Sequence, residues 1–444
     1  MIPSNLSAAE ASQKIAEGWI SSVDLVQSCL DRIAETEGQL HAWVYVDTEG
    51  ALARAAKMDE IRRSGYPTGR LHGIPVGLKD IVDTKDMPTQ RGTAIFDGRQ
   101  PDADAFVVQR LLNEGAIILG KTVTTELAFV HANETRNPHN VAHSPGGSSS
   151  GSAAAVAAYQ VPMAVGTQSN GSVVRPASYC GIYGFKPTNG VISRNGLLQT
   201  SKTLDQVGVF GRTIEDTALL ADVLSGYDPA DENSYNHPRP AMQAGVQSEA
   251  PVEPIFAMFD LPFDDRLSAD AREGFSEVIE AMGGKVERHD APPAFASLLE
   301  TQRHIHEYEI CQHLKQVFDK HWEAISETLK PVVERGRKIT RDQYEHALGT
   351  KAETEKFFDA FFVDYDAILA PSATGEAPLF GNGTGDPCYC TIWTLAGLPC
   401  INLPLLTGAS DLPMGLQVIG QSERDDRLLR TSNWLLQHLQ PATT

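Results

Sequence analysis

Near its start the chain places apolar residues at helical intervals, with Val23, Val26, Leu30 and Ile33 recurring every third or fourth position. Ser7-Ala8-Ala9-Glu10 has the Ser-x-x-Glu spacing in which two side chains satisfy free N–H groups at a helix start. Residues 1–60 therefore predict helices. The pattern then changes. Gly73-Ile74-Pro75-Val76-Gly77-Leu78 is a short apolar run and predicts a buried strand. Residues 105–114 predict a helix, and Ala116-Ile117-Ile118-Leu119-Gly120 a second strand. Residues 152–158, rich in alanine, predict a helix packed closely on a sheet, and 161–165 a short strand ending at Gly166. Further on, strands are predicted at 255–259, 367–370, 400–403 and 415–419, with helices at 270–282 and through most of 297–348. Alternation of this kind favours a layered α/β fold with a mainly parallel sheet. Between 226 and 254 Pro, Asp, Asn and Gln accumulate, which predicts a surface loop or linker across a single domain.

Composition narrows the function classes. A chain of 444 residues with 41% hydrophobic and 21% charged residues can bury a sizeable core. Its net charge of −20 works against binding nucleic-acid backbone or an anionic membrane, so neither partner is expected. An anionic substrate would have to meet a local positive group. The polar start, MIPSNLSAAEAS, has no basic leader or apolar core of a signal peptide. No run approaches the ~18 apolar residues needed to span a bilayer. Six scattered cysteines suit reduced thiols, and a cytoplasmic location is expected. Cys388-Tyr389-Cys390 lacks a second ligand pair nearby, and His304-Ile305-His306 falls on a predicted helix where the two rings point apart, as a surface pair. His139 and His143 add no ligand pattern, so no metal and no cofactor is expected. The last few residues alone resemble a disordered tail.

The candidate chemistry lies in two places. Lys79, in Gly77-Leu78-Lys79-Asp80, sits inside the apolar run 74–82, where desolvation can hold its amine neutral and make it a base. The alternative is a buried stem whose head group reaches solvent or pairs with Asp80 or Asp83. Between Pro145 and Thr188, Ser148 and Ser172 each lie against glycine, which leaves a hydroxyl sterically open. The stretch Gly146-Gly147-Ser148-Ser149-Ser150-Gly151 also fits an anion-binding or capping loop before a helix, but it lacks the lysine of a nucleotide-phosphate loop. At Gly166-Thr167-Gln168-Ser169-Asn170-Gly171-Ser172 a strand runs into a turn that can aim several N–H groups at one point, as an oxyanion hole requires. The G-x-S-x-G elbow is absent, which disfavours a Ser-His-Asp hydrolase despite thirteen histidines.

In this order the motifs resemble the amidase signature family: Lys79 in GLKDIVDT, Pro145-Gly146-Gly147-Ser148-Ser149, Gly166-Thr167 to Gly171-Ser172, and Cys180-Gly181 to Pro187-Thr188. The resemblance continues through Leu204-Asp205-Gln206-Val207-Gly208, Trp393-Thr394 to Pro399, and Leu412 to Gln417. It implies an α/β/α layered domain around a large mixed, mainly parallel sheet. Within 1–444, helices fill 1–60, a signature core 61–225, the loop or linker 226–254, and the rest of the same domain 255–444. It also implies a Ser–cis-Ser–Lys triad. Ser172 would be the nucleophile, Ser148 the proton relay after a cis peptide, and neutral Lys79 the base. The N–H groups of Ser169, Asn170, Gly171 and Ser172 would form the oxyanion hole, with Ser149 and Arg175 touching substrate. The reaction implied is cleavage of the C–N bond of small linear amides through an acyl-enzyme. Carbamates, ureas and hydrazides offer the same chemistry, and a glutaminase-type component of an amidotransferase is the alternative. The expected partner is a small-molecule amide or carbamate, and a homodimer is allowed.

Two positions depart from the family pattern. Asn170 replaces a glycine, which asks whether the turn needs a positive φ. Arg175 stands three residues after Ser172, resembling malonamidase-like members in which the arginine binds a substrate carboxylate. Its alternative is pairing with a structural aspartate or with backbone carbonyls. Residues 130–140, 300–320 and 372–390 are expected to build the pocket, with Tyr308, Glu309 and Trp393 as candidate lining residues.

Overall fold

A computed structural model describes residues 1–439; the tail suggested for the last residues, 440–444, lies outside them. One eleven-stranded sheet runs through the described chain. Its strands are β1 (Trp43–Val46), β2 (Pro75–Lys79), β3 (Ile117–Thr122), β4 (Met163–Gln168), β5 (Tyr183–Lys186), β6 (Gln206–Gly211), β7 (Phe256–Asp260), β8 (Val286–Asp290), β9 (Ala367–Pro371), β10 (Cys400–Thr407) and β11 (Pro413–Ile419). The spatial order is β1-β3-β2-β4-β6-β5-β10-β11-β9-β7-β8.

The sheet is mixed, as expected, but its balance is not mainly parallel. Six of the ten pairings are antiparallel, and the parallel ones lie on either side of the centre, at β3-β2-β4 and β9-β7-β8. A buried strand carries the same apolar run whichever way its neighbours point, so direction is not written in it. Every residue of β2, β3, β4, β6 and β9 is buried. Successive side chains of a strand face opposite ways, so both faces of the sheet are covered there. The edge strands were not expected from the pattern. β1, inside the stretch predicted as helical, is four residues long, and β8 reads Val-Glu-Arg-His-Asp with most positions exposed. Short or charged strands are what discourages edge-to-edge pairing between molecules.

The predicted N-terminal helices form at Ala8–Glu17, Ser22–Leu40 and Thr48–Arg63, the first two each opened by a capping box, at Ser7 and Ser21. Leu25, Val26, Cys29, Leu30 and Ile33 make the buried stripe of the second helix. Residues 226–254 are mostly irregular, but Asp231 there pairs with Arg194 at 2.6 Å with both side chains buried. The short helix Met242–Gln247 also buries Met242 and Val246, so this segment is tied to the body at two points. Among the described residues no helix is long and apolar enough to cross a membrane.

Candidate active site

β2 and β4 are parallel neighbours, with Leu78 opposite Val165, so their carboxyl ends open side by side. Ligands of open α/β sheets gather at such ends. Lys79 is the last residue of β2. Past the end of β4 the chain turns through residues 169–173 and enters the helix Val174–Cys180. A further stretch of chain, 145–149, leads into the helix Ser150–Ala157. The fold thus brings Lys79 and Ser148 into contact and sets Ser172 in the turn just past the end of the neighbouring strand.

Lys79 is fully buried and has no carboxylate partner among the described residues. Its Nζ lies 2.7 Å from Ser148 Oγ and 2.8 Å from Thr167 Oγ1. Burial pushes its amine down to about 7, against the pull of the Asp205 carboxylate in the other direction. Near neutrality a large share of the amine is therefore unprotonated and carries a lone pair that Ser148 Oγ–H can face. The Gly147–Ser148 peptide bond is cis. Gly146 has φ +84°, and a Cβ on Gly147 would lie 2.7 Å from the Thr384 methyl, so neither position accepts a side chain readily. The Thr125 N–H donates to Ser148 O at 3.2 Å and holds the loop from the other side.

The turn after β4 is shaped by side chains the sequence did not single out. Gln168 is buried; its Oε1 accepts from the N–H groups of Val173 (2.8 Å) and Val174 (3.0 Å), and its Nε2 donates to Thr394 Oγ1 at 2.8 Å. Thr394 Oγ1 in turn donates to Asn170 O at 2.5 Å. Among the described residues the N–H groups of Ser169, Asn170, Gly171 and Ser172 have no acceptor, and neither has the Ser172 hydroxyl. Asn170 does not have a positive φ, so the turn tolerates a side chain here. Its amide is clamped, accepting from Thr391 Oγ1 at 2.6 Å and donating to Gln302 Oε1 at 3.2 Å. Ser169 Oγ donates to Asp205, which also accepts from Thr200 Oγ1 and from the N–H groups of Thr200 and Ser201.

Ser169, Asn170, Gly171, Ser172 and Arg175 face a cavity of about 350 Å³. Segments 300–320 and 372–390 contribute to its wall as expected, through Gln302, His306 and Thr384–Cys388, and Val130 reaches it from 130–140. Individual lining residues differ from expectation. Tyr308 and Glu309 face a separate cleft of about 820 Å³, where Tyr308 stacks on Tyr344 at 4.2 Å. Trp393 is a core residue, edge-on to Phe358. Ser149 is also withdrawn from the cavity. Its hydroxyl bridges the Thr167 backbone, donating to the carbonyl and accepting from the N–H, both at 3.2 Å. His306 is not the surface half of a pair: it is buried, tilted against Phe129, and lines the cavity, while His304 lies nearer solvent beside Glu300. Helix spacing shows that the two rings point apart, as expected, but not that one of them points inward.

Arg175 is 5% exposed. Its Nη2 donates to Gly147 O at 2.7 Å and to Thr384 Oγ1 at 3.2 Å; its Nε has no acceptor, and no carboxylate pairs with it among the described residues. Arg266, Arg303 and Arg335 join it on the cavity wall against two carboxylates, Glu307 and Asp386. A chain of net charge −20 thus has a locally cationic cavity. Among the described residues no group of three or more His, Cys, Asp or Glu side chains could hold a metal ion.

The arrangement offers an open hydroxyl, a buried hydroxyl hydrogen-bonded to a neutralisable amine, and a row of unpaired N–H groups. Comparison with known proteins places the chain in one family. The family model described as Amidase matches residues 24–429. The glutamyl-tRNA(Gln) amidotransferase A subunit of Thermobifida fusca (strain YX) is 34% identical over 465 residues, covering 95% of this chain and 93% of its own. Among solved structures, one described as an unexpected vestigial protein complex revealing the origins of an s-triazine catabolic enzyme superposes with a TM-score of 0.91 at 27% identity, covering 97% of this chain and 98% of that one. The peptide amidase of Stenotrophomonas maltophilia superposes with a TM-score of 0.80 at 27% identity, covering 98% and 96%.

Proposed function

We propose, for a chain that belongs to the amidase family, that it is an amidohydrolase acting on small linear amides that carry a carboxylate. The observation that carries this reading is the Lys79–Ser148 contact of 2.7 Å, with Ser172 on the wall of the cavity. Ser172 Oγ attacks the carbonyl carbon. Its proton passes to Ser148 Oγ as the Ser148 proton passes to the Lys79 amine, so a base with a pKa near neutrality removes a proton at the working pH. The N–H groups of residues 169–172 receive the oxyanion, where a single donor is worth on the order of 10²–10³ in rate. The same relay returns the proton to the leaving nitrogen as the C–N bond breaks. Water then enters, gives up its proton by the same route, and hydrolyses the ester on Ser172.

Arg175 supports the carboxylate. A buried guanidinium with unused donors and no acid partner leaves a charge that an anionic substrate would neutralise. The test is release of amine or ammonia from a matched panel: malonamate-type acids, neutral aliphatic amides, anilides and aryl carbamates. Because Arg175 also holds Gly147 O, the informative quantity is the preference between acids and neutral amides, not the absolute rate. Arg175→Lys is expected to cut that preference at least tenfold, and an unchanged preference would make Arg175 purely structural.

A second reading follows from the relatives. Thermobifida fusca and other organisms supply amidotransferase A subunits at 30–34% identity over more than nine-tenths of this chain. Silence of the purified chain across the panel, with activity appearing only when partner subunits are added, would favour that role.

A further inference from the structure

Donors crowd the cavity described above. Arg175, Arg266, Arg303 and Arg335 only donate, as do the free N–H groups of 169–172. The amide and carboxylate acceptors on its wall are already engaged. Asn170 Oδ1 accepts from Thr391, and Gln302 Oε1 from Asn170. Glu307 takes a two-pronged contact from Arg335, and Asp386 accepts from Arg266 and from the Cys388 N–H.

His306 is different. Its Nε2 lies 3.1 Å from Thr200 Oγ1, and Thr200 Oγ1 donates its one proton to Asp205 Oδ1 at 3.0 Å. Asp205 is an acceptor there, since Ser169 Oγ, Thr200 N and Ser201 N all donate to it as well. The proton count then fixes the ring: Nε2 must carry the hydrogen and donate to Thr200, so a neutral His306 presents Nδ1 as a bare acceptor. Nδ1 has no partner among the described residues, and the ring is on the cavity wall. Burial favours the neutral ring, holding it down to about 4.

We propose that His306 is a specificity-determining residue whose Nδ1 accepts an N–H of the substrate amide, so that the site selects amides bearing at least one N–H over fully N-alkylated ones. The inference rests on the amidohydrolase reading for its substrate, and it names which amides that site takes. A primary amide brings two N–H groups into a cavity full of donors; without an acceptor one of them would be desolvated and unpaired, which a hydrogen-bonding site rejects strongly. The Thr200–Asp205–Ser169 chain ties the same ring to the oxyanion turn, so its orientation is fixed by the element that carries the reacting carbonyl.

Two substitutions separate the two nitrogens. His306→Gln keeps an N–H near Nε2 for Thr200 but leaves no acceptor near Nδ1, whereas His306→Asn does the reverse. The probes are malonamate and N,N-dimethylmalonamate, compared by kcat/KM in the Ser172-intact proteins and by calorimetric binding in Ser172→Ala backgrounds. The expected result is at least a tenfold preference for malonamate in wild type and in His306→Asn, falling to within twofold in His306→Gln. A preference undiminished in His306→Gln overturns the proposal. Turnover without any preference in wild type also overturns it and leaves the amidohydrolase reading standing. Preferential binding without turnover, lost in His306→Gln, sustains the proposal and removes that reading. Neither binding nor turnover of either acid overturns both.

Discussion

Two lysines on adjacent strands share almost every property that first drew attention to Lys79. Lys121 lies on β3 opposite Leu78, two residues past the apolar stretch Ile117–Leu119, and both side chains have zero exposure. Burial pushes both amines down, Lys79 to about 7 and Lys121 to about 8. Their partners differ. Lys121 donates to the Val82 carbonyl and to Thr89 Oγ1, and that hydroxyl lies 3.4 Å from the same carbonyl. A carbonyl has no proton to give, and the nearby Asp80 carboxylate favours the charged amine. Lys79 instead meets two hydroxyls, those of Ser148 and Thr167. A buried lysine therefore becomes a candidate base through partners that can hand it a proton, and burial alone is insufficient. Lys186 makes the same point: it is fully buried and donates to the Leu398 and Pro187 carbonyls and to Gln206 Oε1.

The contrast can be broken most directly by exchanging each lysine for methionine. Lys79→Met is expected to lose on the order of 10²–10⁴ in kcat/KM, the usual worth of a general base. Lys121→Met should stay within a few-fold of wild-type kcat/KM while losing about 1–3 kcal/mol of stability, because the Val82 carbonyl and Thr89 hydroxyl lose their buried donor. Denaturant melts alongside kinetics check both; equal activity losses would erase the distinction. A smaller effect should follow from Thr167→Val, roughly tenfold, since it removes one neutral hydrogen bond that positions the amine.

The pH dependence sharpens the comparison further. A base with a pKa of about 7 gives a wild-type kcat/KM that climbs through pH 7 as the Lys79 proton is lost. Asp205 raises that value, so Asp205→Asn should move the rise to lower pH, which a pH–rate profile of the variant would register. Stability has its own sign. Both lysines release their proton in the folded protein below the unfolded value of about 10.4, so between these values the unfolded chain binds more protons and stability rises with pH. Replacing either lysine should flatten that rise, which denaturant melts across about pH 7–10 would register.

How much of this was legible in the sequence varies with the distance between partners. The apolar runs of β2, β3 and β4 and the glycines around Ser148 and Ser172 are local signals, and they led to the right strands and loops. The α/β class followed from the same runs, whereas strand direction, which no single run encodes, did not. The apolar run around Lys79 could not separate it from Lys121, because the hydroxyls that distinguish them come from β4 and from the loop before Ser149. The roles of Gln168, Thr394 and His306 escaped notice for the same reason. Gln168 and Thr394 meet across more than two hundred residues, and His306 acquires meaning only through Thr200 and Asp205. Asn170 was visible as a departure from pattern, but its clamp by Thr391 and Gln302 was not.

The central claim, that Lys79 is a base acting through Ser148 on Ser172, is tested most directly without knowing the substrate. The rate of covalent labelling of Ser172 by a fluorophosphonate, followed by intact-mass spectrometry from pH 5 to 10, reports how readily its proton is removed. The expected result is a wild-type rate that rises to a plateau with a midpoint near 7, and a Lys79→Met rate at least a hundredfold lower with no inflection there. A Lys79→Met protein that is folded, labels at Ser172 and keeps the same midpoint would contradict it.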